Sequence, residues 1–523
     1  MSTSNETADL LMKRFNKLEL VAARYGPTFE EAAASLGKKY SKDTFRKAIE
    51  KGNEEHRKKA KEFMEEWFGL ISQKVLGRAD NKSGGGLPMK GPHWGWYGLI
   101  AVVALALASV RLLTWQGVRR QALDPAMVQA LDPAMVQAGE TLFHYDWNEK
   151  DPLAGGDGLG PVYNATSCVE CHHQGGPGGA GGVEHNVTTF VVTEIRPNNA
   201  RAEKREGVVH AYAVHCPPET LKHVHPRLPE ISQPRLAMLI NSSVKRQDKD
   251  WHRIRVVSRG DGVHLSQRNT PALFGANLID ALPDSVLIAN ERQQQLKRGA
   301  VFGRALRLAD GRIGHFGWKA QSASLSAFVQ AACANELGLG NPGQAQPRPL
   351  SLPYYEPPSL DLTAEQCDQI TAFVASLPRP IERLPEDRPH LKQVSAGKVL
   401  FHRIGCADCH TPDVGGIEGL YSDLLLHDMG QQLVGGGSYN NPPPQKVPDS
   451  SPGDGPSPGE WRTPPLWGVT DSAPYLHDGR APTLQKAIGL HQGQAAKSAQ
   501  NFAALDKNEQ AWVVAFLRTL RAP

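Results

Sequence analysis

Cysteine, aromatic residues and net charge are all scarce in this chain of 523 residues. Its seven cysteines are too few for a scaffold built on disulfides. Aromatic residues make up 7% of the chain, beside 51 glycines and 39 prolines, so the composition predicts short helices, many loops and no large sheet. The formal net charge of +4 gives no reason to expect nucleic acid as a partner.

Long apolar runs are also rare, and one of them stands out. Residues 94–115 begin with the uncharged run WGWYGLIAVVALALASV and carry tryptophan near both ends. This length and pattern predict a transmembrane anchor. Residues 1–90 before it form a charged helical extension, which we expect to be cytoplasmic. Residues 121–137 contain the octapeptide QALDPAMV twice in tandem and are interpreted as a spacer.

The rest of the chain contains a distant internal duplication. AGETLFH and AGKVLFH each precede a cysteine pair, while NTPALFGA and RTPPLWGV each follow one. A weaker match joins HFGWKAQSASL to YLHDGRAPTL. Matches in the same order in both halves predict two related domains, over 138–345 and 385–523. A linker with a helix, over 346–384, would join them.

Both cysteine pairs have the spacing C-x-x-C and are followed at once by a histidine. The two motifs are Cys168, Cys171, His172 and Cys406, Cys409, His410. C-x-x-C-H is the attachment signature of c-type haem, because two thiols at this spacing reach the two vinyl groups of one porphyrin and the imidazole ligates its iron. A four-cysteine zinc site would normally have its pairs about 15–20 residues apart, and neither zinc nor a redox dithiol requires the histidine. The sequence therefore predicts two covalently attached haem c groups.

Several segments together resemble the bacterial di-haem oxidoreductase family, whose members are described as peroxidase-type or thiol-oxidoreductase-like. They are DGLGPVYNATSCVECHH, RNTPALFGANLIDALPD, GHFGWKAQSASL, YSDLLLHDMG and WRTPPLWGVTDSAPYLHDGRAPTLQKAI. The pattern is more distantly similar to di-haem cytochrome c peroxidases, and the resemblance covers about residues 136–523. It implies a mainly α fold with two cytochrome c-like haem domains and long loops. We expect a small helical extension and a transmembrane helix to precede these two haem domains.

In the peroxidase superfamily the second-domain haem transfers electrons and the first-domain haem reacts with peroxide. The resemblance implies that His491 is the distal ligand of the second iron, with Met429 as the alternative. It also implies that Trp318 relays electrons between the haems. Glu336 would be the distal acid that moves a proton during cleavage of the peroxide bond.

The peroxidases also bind calcium between their domains. The resemblance implies Asn269, Ser472 and Pro474 as the calcium ligands in this chain, since calcium prefers oxygen donors. A polar contact filled by water would give the same sequence pattern. Separately, Cys333 and Cys367 are close enough in sequence to predict a disulfide.

The function implied is that of a membrane-anchored di-haem oxidoreductase of the bacterial inner membrane, with its haem domains in the periplasm. It would reduce hydrogen peroxide or another small oxidant, using electrons from a donor protein or a quinol-linked donor. Two alternatives remain open: an electron-transfer cytochrome without catalysis, and an oxygenase that acts on an organic substrate. In the first alternative both irons would have two protein ligands, so the distal side of the His172 iron distinguishes it from a peroxidase.

Overall fold

The computed structural model divides the chain into two compact units, residues 1–106 and 107–523. The structure describes parts of both. In the first unit these are residues 15, 29–35, 41–51 and part of 55–67. In the second unit they are residues 131–194, 203–224, 230, 258–259, 263–297, 299–437, 445–446 and 455–523.

The membrane part of the predicted fold class is corrected. Residues 94–115 lie outside the described residues, and across the ranges just given no helix is long and apolar enough to cross a bilayer. The prediction depended on the length, apolarity and flanking tryptophans of a sequence segment, whereas a span also needs about 20 apolar residues within a single helix. The predicted fold class is therefore corrected to one without the transmembrane helix. The predicted inner-membrane location depended on that helix and is corrected with it.

The helices and strands of the described residues are numbered here in chain order. The helices are α1 Phe29–Ser35, α2 Lys42–Lys51, α3 Pro133–His144, α4 Cys168–Cys171, α5 Leu221–Val224, α6 Ala276–Asp280, α7 Asp284–Leu296, α8 Leu325–Leu337, α9 Ala364–Ser376, α10 Arg388–Arg403, α11 Leu484–Gly489, α12 Ala496–Ala503 and α13 Lys507–Leu517. The strands are β1 Val162–Tyr163, β2 Val187–Glu194, β3 Glu203–Val209, β4 Tyr212–Ala213, β5 Ser258–Arg259, β6 Val263–Arg268, β7 Ile381–Glu382, β8 Leu426–Asp428, β9 Gln445–Lys446, β10 Glu460–Arg462 and β11 Leu520–Arg521.

The described side chains of the first unit form an aromatic core. Phe15, Phe29, Phe45, Phe63 and Trp67 are all buried. Their ring centroids lie between 5.1 and 6.2 Å apart, which is contact distance for aromatic pairs. This unit therefore has a hydrophobic core of its own, consistent with a small helical module.

In the second unit, the first helix of each haem-type domain crosses a later helix at a glycine. Helix α3 packs against α9, and a Cβ atom on Gly139 would lie 1.8 Å from the Gln369 carbonyl oxygen. Helix α10 packs against α13, and a Cβ atom on Gly397 would lie 1.8 Å from the Trp512 carbonyl oxygen. Any larger residue would separate the helices, so the two AGxxLFH segments mark the crossings. Helix α9, expected in the linker, therefore packs as part of the first domain.

The second unit contains a five-stranded antiparallel sheet in the order β5-β6-β2-β3-β9, and its first four strands in sequence lie between the first cysteine motif and the NTPALFGA segment. Strand β2 is central and pairs with β3 and β6. Edge strand β9 comes from the long loop of the second domain, so this sheet connects the two domains. The expectation of no large sheet is wrong, because the β-branched run VTTFVVTE forms a central strand without needing many aromatic residues.

Candidate haem sites

The first C-x-x-C-H motif forms one helical turn in the wall of a cavity. The backbone N–H of His172 donates to the Cys168 carbonyl oxygen at 3.0 Å and closes the turn. Cys168, Cys171 and His172 all line the same cavity, called the His172 cavity here, whose volume is about 720 Å³. That volume lies within the range of about 300–1,000 Å³ that is usual for ligand and cofactor sites.

The second motif repeats this arrangement in the other domain. The backbone N–H of His410 donates to the Cys406 carbonyl oxygen at 2.9 Å. Cys406, Cys409 and His410 line a separate cavity of about 280 Å³, called the His410 cavity here. His491 and Met429, the two predicted candidates for the distal ligand, both lie in the wall of this cavity.

The two motif histidines are held in the orientation that iron ligation requires. His172 Nδ1 donates to the Gly179 carbonyl oxygen at 3.1 Å, and His410 Nδ1 donates to the Tyr421 carbonyl oxygen at 3.0 Å. Each ring therefore has Nε2 left to carry the lone pair, as iron-binding histidines do. Burial lowers the pKa of both imidazoles to about 4, so they are neutral at physiological pH. The residues present fit two haem c groups.

The two cysteine pairs do not form a zinc site together, because they line different cavities. Burial raises the pKa of the Cys168 and Cys406 thiols to about 12. Cys333 and Cys367 are not joined by a disulfide in the structure. The predicted disulfide between Cys333 and Cys367 is therefore wrong, and both side chains are part of the apolar core.

The duplicated AGxxLFH segments also contribute to both sites. Phe143 of the first segment packs against the His172 ring at a centroid distance of 6.4 Å. Phe401 of the second packs against the His410 ring at 6.5 Å. The same helix thus supplies the crossing glycine and the aromatic side chain that holds the proximal imidazole in place.

Sequence comparison matches part of the chain to a described family. Residues 358–520 match the sequence profile of a family described as "Di-haem oxidoreductase, putative peroxidase". The chain is similar to this family over those residues. Its cofactors are two covalently attached haem c groups, which agrees with the cavities and their histidines. The matched residues contain the second C-x-x-C-H motif, and the internal duplication relates the first motif to it.

Three solved structures show low similarity to this chain. The diheme peroxidase BthA from Burkholderia thailandensis is 14% identical, covering 75% of this chain and 86% of that one, with a TM-score of 0.32. Hydrazine synthase from Kuenenia stuttgartiensis is 17% identical, covering 51% and 75%, with a TM-score of 0.30. A MauG-like protein associated with microbial copper homeostasis is 21% identical, covering 30% and 53%, with a TM-score of 0.20. No curated protein gives a significant match.

The weaker of the internal sequence matches corresponds to two loops with the same backbone pairing. Phe316 pairs with Ser322 through an isolated bridge, and Tyr475 pairs with Ala481 in the same way. Each loop leads directly into a helix, α8 in the first domain and α11 in the second. Since no insertion separates the two segments, their positions can be matched one by one.

The matched helices also begin in the same way. Ser324 caps α8 by accepting a bond from a backbone N–H in the first turn, and Thr483 caps α11 equivalently. Counting the same number of residues from each cap leads to Ala332 in the first domain and His491 in the second. Ala332 lines the His172 cavity, and His491 lines the His410 cavity. Equivalent wall positions thus carry a methyl group and an imidazole.

The imidazole of His491 is partly buried and is oriented by a hydrogen bond to α11, the helix that it follows. Its Nδ1 donates to the Ala487 carbonyl oxygen at 2.7 Å, which leaves Nε2 to carry the lone pair. Burial lowers the pKa of His491, so the ring is neutral like that of His410. These features are those of an iron ligand, and the assignment of His491 to the second iron stays a prediction.

Trp318 lies between the two haem cavities. Its side chain contributes to the walls of both. The indole Nε1 donates to the Asn269 carbonyl oxygen at 2.8 Å, which fixes the ring. The same backbone is held from the other domain, because the Arg462 N–H donates to the Trp318 carbonyl oxygen at 2.9 Å. Its position suits the electron relay that the resemblance implies.

Glu336 lies in the wall of the His172 cavity. One carboxylate oxygen, Oε2, accepts a bond from the Asn164 side chain at 2.7 Å. Glu336 follows Ala332 by one helical turn, so the two residues share a face of α8. The structure therefore brings Glu336 to the first cavity, on the same face as the position that corresponds to His491.

The three predicted calcium ligands all line the His410 cavity. The Asn269 side-chain amide donates to the Asn186 side chain at 3.0 Å, and the Ser472 hydroxyl donates to the Gly468 carbonyl oxygen at 2.9 Å. Pro474 offers only its carbonyl oxygen. A calcium site at these residues stays a prediction.

Sequence reasoning missed a cluster of aromatic and cationic side chains beside Trp318. Trp461 stacks on His477 with ring centroids 3.6 Å apart and an interplanar angle of 13°. The Lys319 ammonium lies 3.8 Å from the centre of a Trp461 ring, and the Arg268 guanidinium lies 4.6 Å from it. All four residues lie within or immediately beside the duplicated segments. The duplication therefore marks their positions in the sequence, but the contacts among them are visible only in the structure.

Proposed function

We propose that this di-haem oxidoreductase reduces hydrogen peroxide at the His172 site with electrons received at the His410 site. Reduction of one peroxide molecule to two water molecules consumes two electrons and two protons. A one-electron donor, either a protein or a quinol-linked donor, must therefore deliver two electrons for each peroxide. The bound haems supply the electron storage and the iron at which the oxidant reacts.

The difference between Ala332 and His491 carries this proposal. His491 presents a neutral imidazole to the His410 cavity, while Ala332 presents only a methyl group to the His172 cavity. A methyl group cannot ligate iron, so a small oxidant has access to that face. The other imidazole in the His172 wall, His185, packs against His173 beside the attachment turn, at 5.6 Å between ring centroids. This asymmetry favours a reactive first site over a carrier with two closed irons.

Glu336 supplies the acid–base group that peroxide cleavage needs. Cleavage of the O–O bond requires a proton to move from one peroxide oxygen to the other, and a carboxylate at that position accelerates the step. Glu336 lies on the same face of α8 as Ala332 and is held at Oε2 by Asn164. Its carboxylate is thus placed to serve the open side of the first site.

Electrons pass between the sites through Trp318, in this proposal, and not through Trp461. Trp318 borders both cavities, whereas Trp461 borders only the His410 cavity. Two cations, Lys319 and Arg268, lie against the Trp461 ring. Positive charges make an electron harder to remove from an indole, because they destabilise the oxidised ring.

Replacing Trp318 with phenylalanine is expected to slow electron transfer from the His410 haem to the His172 haem by about tenfold. The substitution removes the more easily oxidised indole and keeps an aromatic ring between the cavities. Stopped-flow spectroscopy of the reoxidation of the His410 haem by peroxide would measure the rate. Trp461→Phe is the matched control and should leave the rate within about twofold of the parent. Equal slowing in both variants would contradict a specific path through Trp318.

The function itself is tested on the half-reduced protein mixed with hydrogen peroxide. We expect the His172 haem to give a high-spin EPR signal. We also expect two equivalents of donor to be oxidised for each peroxide molecule consumed. Two low-spin haems that do not react with peroxide would instead support the electron-transfer cytochrome. Oxygen consumption on an organic substrate, without turnover of peroxide, would support the oxygenase alternative.

A further inference from the structure

Arg462 is a buried cation with a donor that no protein group uses. Its side chain is 9% exposed, and its Nε donates to the Gly317 carbonyl oxygen at 2.8 Å. Its Nη1 is buried and has no hydrogen-bond acceptor among the residues that the structure describes. Leaving a buried charged donor without an acceptor is costly, so a polar group from outside the polypeptide is expected at this position.

The acidic group that acts electrostatically on Arg462 already has other hydrogen-bond partners. Asp423 influences the guanidinium electrostatically, but its Oδ2 accepts bonds from His427 at 2.8 Å and from Gln294 at 2.6 Å. Burial lowers the pKa of Arg462 to about 10, which still leaves the side chain charged at physiological pH. A full positive charge thus stays in the wall without a carboxylate from the chain.

The position of Arg462 limits which group could pair with it. The residue lines the His410 cavity and is not part of the His172 cavity wall. Its counterpart in the duplication is Asn269, a neutral amide that donates to Gly181 and to Asn186. The chain therefore has a charged donor at only one of the two equivalent positions, in the domain of the second haem.

We propose that Arg462 binds a propionate carboxylate of the haem attached to Cys406 and Cys409. The propionates are anions that this haem brings into the cavity, and a guanidinium pairs with carboxylates in a strong, directed geometry. A positive charge beside a haem also favours its reduced state, since reduction adds an electron to the group. Arg462 would therefore fix the orientation of this haem and raise its reduction potential. The inference depends on the second haem and not on peroxide chemistry.

The test measures the reduction potential of each haem in Arg462→Gln by a redox titration that is monitored by EPR. Glutamine keeps amide donors and removes the charge. When the solution potential is fixed near the midpoint potential of the parent protein, we expect the ratio of reduced to oxidised His410 haem to fall by about tenfold. The His172 haem should be unchanged. Because an unpaired buried propionate takes up a proton, the His410 potential should also become pH-dependent near neutrality.

Two further variants make the outcome decisive. Arg403→Gln removes an exposed charge of the same domain, one that pairs with Glu509 at 2.9 Å, and should leave both potentials unchanged. Arg462→Lys keeps the charge and should recover most of the parent potential. Parent-like, pH-independent potentials in Arg462→Gln would overturn the proposal. If Arg462→Gln does not retain its haems, the lysine variant decides: a potential as low as that expected for glutamine would also overturn it.

Discussion

Replacing Ala332 with histidine is expected to lower peroxide turnover by more than about 100-fold while electrons still reach both haems. In the second domain, His491 lies just after the end of α11 and lines the cavity at the position equivalent to Ala332. An imidazole at residue 332 should therefore be able to reach the first iron in the same way. Its ligation would close the face that peroxide needs, and the EPR spectrum should show two low-spin haems.

The matched control for this variant is Ala332→Leu. Leucine adds bulk to the same wall of the His172 cavity but has no atom that ligates iron. We expect a high-spin first haem in this variant, even where the added bulk slows peroxide. The spin state thus separates ligation from steric exclusion. Parent-like turnover and a high-spin first haem in Ala332→His would show that residue 332 does not face the iron, and would remove the main support for a reactive first site.

The haem attachment sites were predictable because their chemistry is local. Each site is formed by three residues within five consecutive positions, so the spacing of Cys168, Cys171 and His172 is visible without a fold. The crossing glycines were also present as a duplicated pattern. The structure explains these glycines, because Gly139 lies directly against the backbone of α9 and Gly397 against that of α13.

The remaining features depend on contacts between distant segments. Arg462 is informative because one donor is buried without an acceptor, and burial is not visible in sequence. Ala332 carries no chemistry, so it gains meaning only when its equivalent, His491, is found in a cavity wall. The sheet was missed because its last strand, β9, comes from a loop of the other domain.

Replacing His491 with alanine is expected to convert the His410 haem from low-spin to high-spin. The imidazole is neutral, partly buried and held by Ala487, so its loss removes the prepared ligand from that wall. We expect turnover with the natural donor to fall by about tenfold, because a ligand change on reduction slows electron transfer. Added imidazole should restore the low-spin EPR signal. Rescue by imidazole would separate the loss of a ligand from a general loss of structure.

Met429→Leu is the control that distinguishes the two candidate ligands, since Met429 lines the same cavity. It should leave the His410 haem low-spin. A low-spin His410 haem in His491→Ala together with a high-spin one in Met429→Leu would identify Met429 as the distal ligand of the second iron. Combining Ala332→His with His491→Ala gives the strictest test of the duplication. If the two positions are equivalent, the first iron should be closed and the second open, so the reaction with peroxide should move to the His410 site.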